Sequence, residues 1–212
     1  MDQGLTYELE RIKQKGLYRS LRQLRGKPGP IASWKGGKVL LLSSNSYLGL
    51  HDHPMLIEAA CQALHRYGTG AGGSRLISGN LDIHEELEEE IARFKGCEAA
   101  LLFSTGYQAN LGTITALADS SQDLILSDEL NHASIVDACR LSKAVCRIYP
   151  HRNLNQLETW LAESRSCRRR IIVTDGVFSM DGDLAPLSEL CSLAEKYEAI
   201  LLVDDAHGFG VL

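Results

Sequence analysis

The sequence predicts an α/β fold: a mostly parallel sheet with helices on both faces, and a helical arm at the N-terminus. Three observations carry this. Short apolar runs alternate with helical patterns along most of the chain. Runs such as Ile200-Leu201-Leu202-Val203 are apolar throughout, as in a strand covered on both faces. Polar residues capable of chemistry follow these runs, at the edge where open α/β sheets bind ligands.

Taken in order, Leu5, Leu9, Ile12, Leu17, Leu21 and Leu24 recur at helical spacing among charges and predict an amphipathic helix over 5–24. Gly26-Lys27-Pro28-Gly29-Pro30 should end it. Strands are expected at 38–42, 99–103, 123–127, 145–149, 170–174 and 199–204. Helices are expected at 54–66, 83–95, 107–118, 132–141, 153–163 and 186–197. Residues 1–45 read as the helical arm with the first strand, and 46–212 as an incomplete large domain whose stop at Leu212 leaves strand edges uncovered.

Charge narrows the partners. Among 212 residues, 27 acids against 22 bases leave a net charge of −5, with no electrostatic footprint for nucleic acid or an anionic membrane. The cluster Arg168-Arg169-Arg170 abuts an apolar run and reads as a solvated strand entry. No apolar run approaches the roughly 18 residues of a membrane span, and Met1 to Lys15 contains no signal-peptide core, so a cytoplasmic protein is expected. Cysteines 61, 97, 139, 146, 167 and 191 show no C-x-x-C spacing and are expected as buried, reduced thiols. His132 with Cys139, or His51 with His53, lacks a second pair at zinc spacing, so no metal is expected.

Gly68-Thr69-Gly70-Ala71-Gly72-Gly73 spells G-x-G-x-x-G but follows a helix, which argues against a dinucleotide site and for a loop permitting close backbone approach. At Phe103-Ser104-Thr105-Gly106-Tyr107-Gln108-Ala109-Asn110 a strand turns into a helix, where free N–H groups suit a phosphate and Ser104 or Thr105 suits a cap. Asp204 and His207 end an apolar strand. Alone, Asp204 reads first as a helix cap or an internal ion pair, and His132 as a helix N-terminal residue resting on the core. Val177 to Asp183 follows another strand, so three loops at one edge predict a shared site.

Asn45-Ser46-Tyr47-Leu48-Gly49-Leu50, Gly70-Ala71-Gly72-Gly73-Ser74-Arg75, His84-Glu85-Glu86-Leu87-Glu88, Thr174 to Gly182 and Val203-Asp204-Asp205-Ala206-His207-Gly208 resemble the α-oxoamine synthases, pyridoxal-phosphate enzymes of the aspartate-aminotransferase fold. Ser78-Gly79-Asn80 with Gly106-Tyr107 resembles the oxononanoate-forming branch, the biotin-pathway acyltransferases that condense L-alanine with a pimeloyl thioester carried by coenzyme A or a carrier protein. Serine palmitoyltransferase and the 2-amino-3-ketobutyrate ligases are the nearby alternatives.

The resemblance implies roles. Asp204 would keep the pyridine nitrogen protonated, His132 would stack on the ring, and His207 and Ser179 would border its phenolic oxygen. Backbone N–H groups at Gly106 and Tyr107 would hold the phosphate. Arg19 would meet the acyl carboxylate, and Asn45, Tyr47 and Ser74 would line the amino-acid side. A homodimer is implied as well. The Schiff-base lysine expected after Asp-x-x-His is not among these residues, the last lysine being Lys196. The 212 residues alone are therefore expected to lack turnover, as the N-terminal portion of such a synthase or as a lysine-less, non-catalytic subunit of one.

Overall fold

The computed structural model describes residues 3–27 and 29–212, so Met1, Asp2 and Pro28, which belong to the expected arm and break, lie outside the described residues. The chain divides into two compact units, Met1–Arg66 and Tyr67–Leu212.

In the first unit, helix α1 (Gln3–Gln14) is shorter than the expected 5–24. Gly16 adopts a left-handed φ of 67°, its N–H reaches the Lys13 carbonyl, and Leu17 N–H reaches that of Ile12. Such a left-handed glycine is a helix stop, and 17–24 form no regular element. The strand expected at 38–42 is one arm of a hairpin, β1 (Ile31–Trp34) against β2 (Gly37–Leu40), with Trp34 opposite Gly37. Lys35 and Gly36, at φ 49° and 81°, make the two-residue turn that requires positive φ at both positions. Helix α2 (Pro54–Tyr67) starts on a proline, the residue suited to the first helical position.

In the second unit, α3 (Asp82–Lys95) ends at Gly96, φ 65°, and α4 (Gly106–Leu117) begins at the cap Thr105. There follow β3 (Asp123–Asp128), α5 (Ala133–Leu141), β4 (Val145–Tyr149), α6 (Leu154–Glu163), β5 (Arg169–Asp175), α7 (Leu187–Lys196) and β6 (Ile200–Asp204). The four strands pair in parallel in the order β4-β3-β5-β6. Alternation along the strands divides the core. Leu124, Leu126 and Ile172 meet Leu157 and Leu161 of α6 and Leu190 of α7, while Ile125, Ile171 and Val173 meet Ile114 of α4 and Ile135 of α5.

Other expectations need correction. Residues 99–103 form no strand, because no neighbouring strand takes their backbone groups: Leu102 N–H donates to Glu88 Oε1 at 2.6 Å and its carbonyl accepts from Arg75. Strand β6 is an edge among the described residues; Leu201 packs on one core and Leu202 on the other, so both faces are covered as expected, and only Ile200 at its start is exposed. Of the six thiols only Cys139 is buried; Cys167 is half-buried and the other four are exposed, Cys97 in the turn after α3 and Cys146 on β4, an edge strand among the described residues. The arginine cluster opens β5 as expected, but Arg168 forks onto the buried Asp123 (2.8 and 2.6 Å) rather than simply meeting water.

Candidate functional site

Parallel pairing delivers the last residues of all four strands to one edge, with Asp128 beside Tyr149 and Asp175 beside Asp204. The loops and helix N-termini that follow gather there.

Asp204 ends β6 half-buried. Its Oδ2 accepts from Asn110 Nδ2 of α4 at 2.7 Å, and its Oδ1 accepts from Ala206 N–H at 3.1 Å. The same amide nitrogen donates to Ser134 Oγ at 2.9 Å. Ser134 Oγ lies 2.7 Å from His132 Nδ1, which also accepts the Ser134 N–H at 3.2 Å. Thus both Asn110 amide hydrogens are used, and one chain of contacts couples Asp204 to His132. Because Nδ1 accepts, the proton of the neutral imidazole resides on Nε2.

His132 is the N-cap of α5, exposed at the edge, rather than a ring resting on the core. Its backbone N–H makes a long 3.4 Å contact to Asp175 Oδ1, and Asp175 N–H donates to Asn131 Oδ1 at 2.9 Å. Asn131 is buried and also ties Ser127 to the Val173 carbonyl, so it welds the ends of β3 and β5. Burial, with Asp204 nearby, pushes the Asp175 carboxyl up to about 6, while the His132 N–H and the charges of His132 and His207 pull the other way. Asp204, His132 and His207 therefore share one electrostatic neighbourhood around Asp175.

Gly106 and Tyr107 occupy the first turn of α4. Thr105, not Ser104, is the cap: its Oγ1 accepts from Gln108 N–H at 3.1 Å. A helix leaves its first N–H groups without intrahelical partners, so those of Gly106 and Tyr107 point outward at a positive helix end. The Tyr107 hydroxyl is bound to Asp137 of α5. Ser179 is exposed on a loop closed by the Val177–Leu184 bridge.

The glycine stretch forms no dinucleotide cradle. Ser74 C=O accepts N–H groups of Ile77, Ser78 and Gly79, and a Cβ on Gly79 would lie 1.9 Å from the Gly73 carbonyl oxygen. Close approach of the loop to itself explains these glycines. Arg75 beside it forks onto Glu88 at 2.5 and 3.0 Å. Ser74 is exposed here, while Arg19, Asn45 and Tyr47 belong to the first unit and are exposed.

Sequence reasoning singled out His132, Asp204 and His207 but not Asn110, Ser134 or Asp175 as site residues. Asn110 carried a signal: it lies one turn from the fully buried Ile114, a carboxamide on a core-facing stripe. Asp175 and Ser134 had no such mark.

A mostly parallel sheet bearing a carboxylate, an imidazole and an open helix N-terminus at one edge defines a class of proteins that bind a phosphorylated cofactor there. The chain belongs to the aminotransferase class I and II family, whose sequence signature matches residues 37–212. It is 56% identical over its whole length to the 8-amino-7-oxononanoate synthase of Geobacter sulfurreducens and 51% identical to 8-amino-7-oxononanoate synthase 2 of Bacillus subtilis, covering 54% of each. The chain thus spans about half the length of the curated relatives it matches. Among solved structures, serine palmitoyltransferase of S. paucimobilis with bound PLP and myriocin matches at 33% identity and a TM-score of 0.84, over 95% of this chain and 51% of that one. The 8-amino-7-oxononanoate synthase of Francisella tularensis matches at 31% identity and 0.63, over 76% and 43%.

Proposed function

We propose that this chain contributes the cofactor-binding half of an 8-amino-7-oxononanoate synthase, a pyridoxal-phosphate-dependent acyltransferase that joins L-alanine to a pimeloyl thioester with loss of carbon dioxide. The observation that carries the reading is the coupled set Asp204–Asn110–Ser134–His132 at the strand ends, in a chain 56% identical to a synthase of that name.

The donors present fit pyridoxal phosphate. Asp204 offers an anionic oxygen for a protonated ring nitrogen, and the outward N–H groups of Gly106 and Tyr107 suit a phosphate. When bound, the cofactor supplies an electron sink for the carbanion at the amino acid's Cα. The chain's own residues do the rest. Asp204 favours the protonated ring nitrogen by charge, and Asn110 keeps its carboxylate aimed. His132, with its proton held on Nε2 by Ser134, would contact the cofactor ring and keep one N–H free to donate. By the resemblance, His207 and Ser179 would hold the cofactor and Ser74 would meet the alanine, while Arg19, Asn45 and Tyr47 of the first unit would serve the substrates. A homodimer is supported by Met55, Leu56, Ile57 and Leu64 of α2, which leave an apolar surface exposed. Among the described residues no helix is long and apolar enough to cross a membrane, and a cytoplasmic location is part of the proposal.

The test is product analysis with protein from its native source. L-Alanine and pimeloyl-CoA should give 8-amino-7-oxononanoate, and Asp204→Asn should abolish it. Turnover only of serine with palmitoyl-CoA, or of glycine with acetyl-CoA, would overturn the assignment.

A further inference from the structure

The loop that carries Ser179 is tied to the sheet by a histidine outside the assigned site. His151, two residues beyond β4, has both ring nitrogens engaged by carboxylates: Nδ1 lies 2.8 Å from Asp128 Oδ1 at the end of β3, and Nε2 lies 2.9 Å from Asp183 Oδ2 in the loop. The ring also stands edge-on to Phe178, centroids 4.4 Å apart, and Phe178 is fully buried immediately before Ser179. Within the loop, Phe178 N–H bonds the Asp183 carbonyl and Gly182 N–H returns to Phe178. Holding Asp183 and Phe178 therefore holds the turn bearing Ser179.

We propose that His151 is the positioning residue of this loop, a strut that fixes residues 177–184 against the end of β3 through its two ring nitrogens. The doubly protonated ring donates to both carboxylates, whereas the neutral ring turns a lone pair toward one of them. Burial opposes the charge on His151, but the hydrogen bonds and charges of Asp128 and Asp183 outweigh it and hold its pKa above the ordinary histidine value. The other charged or titratable groups around the ring are Arg152, whose N–H binds Asp128 and whose guanidinium binds Asp183, Glu129, which accepts the His151 backbone N–H, and the buried Tyr149 phenol beside Asp128. Asp183 Oδ1 is buried without a hydrogen-bond partner, so the carboxylate depends on Oδ2, where His151 and Arg152 converge.

The loop's fixation stands on geometry alone; its consequence for cofactor retention rests on the pyridoxal-phosphate reading, in which Ser179 borders the phenolic oxygen. The experiment is amide hydrogen exchange of the protein without added cofactor, comparing His151→Ala and Asp183→Asn with wild type from about pH 6 to about pH 9, a range that spans histidine titration. Losing a charge-assisted link should speed exchange of 177–184 by about tenfold at the low end, with β3 and β5 still protected, and the ratio to wild type should shrink as pH rises. Asp183→Asn, which removes the charge but not the hydrogen bond from the loop-side link, serves if His151→Ala loses protection in β3 and β5. Wild-type exchange of the loop in a folded variant, or a ratio unchanged with pH, overturns the proposal. Faster release of pyridoxal phosphate from His151→Ala, followed by absorbance, extends it to the cofactor. If the loop loosens but the wild type never binds pyridoxal phosphate, the strut stands and the cofactor reading falls.

Discussion

Asn110 and Asp204, 94 residues apart in sequence, are joined by a 2.7 Å hydrogen bond from a helix amide to a strand-end carboxylate. Asn110 also holds Ser134, so one buried side chain orients both the carboxylate and, through Ser134, the imidazole of His132. Replacing it by alanine should leave Asp204 and Ser134 without that partner and cost about 1–3 kcal/mol. Urea unfolding should report the loss, and pyridoxal phosphate should bind more weakly by the same route.

The proposed phosphate hold depends on backbone N–H groups, which a proline can delete. Gly106 occupies the first helical position, no atom lies within 4 Å of a Cβ placed there, and Thr105 is already extended at φ −149°, ψ 153°. Proline is tolerated at such a position. Gly106→Ala should bind pyridoxal phosphate within about twofold of wild type, whereas Gly106→Pro, lacking one N–H, should lose about tenfold. Equal affinities in an absorbance titration would remove Gly106 from the site.

Asp175 is buried with a carboxyl pKa near 6, above its unfolded value near 3.8. The unfolded chain therefore releases this proton first, and stability falls as pH rises between those values and stays lower above them. Asp175→Asn removes a cost of about 3 kcal/mol at most. It should raise the denaturation midpoint at pH 7 and lose that advantage below about pH 4.

Glu88 has the opposite sign. Arg75, and the Leu102 N–H after it, hold its pKa down at about 2. Its contribution is present above the unfolded carboxylate value and is lost as pH falls toward 2. Glu88→Gln should lower the melting temperature at pH 7 and match wild type in strong acid, as thermal melts across pH would show.

The elements of the second unit were largely legible because their apolar periods are regular: each helix from α3 to α7 lies within two residues of its expected bounds. The failures have local causes. Leu17, Leu21 and Leu24 kept helical spacing beyond Gly16, whose left-handed backbone had already ended α1. Ala99 to Phe103 had the composition of a strand, but a strand exists only where another backbone pairs with it. Leu102 meets the side chains of Glu88 and Arg75 instead.

For the candidate site, the sequence by itself determined which chemistry-bearing residues stand at strand ends and helix starts: Asp204, His207, His132, Ser179 and the Gly106-Tyr107 turn. Local period and turn chemistry are properties of short segments, so they can be read along the chain. Only the tertiary structure decided that Asn110 and Ser134 link Asp204 to His132, that Asp175 is a second, burial-shifted carboxylate, and that His151 struts the Ser179 loop. Those relations join residues from separate strands and helices, and hydrogen bonding and desolvation act over distances in space, which sequence spacing does not encode.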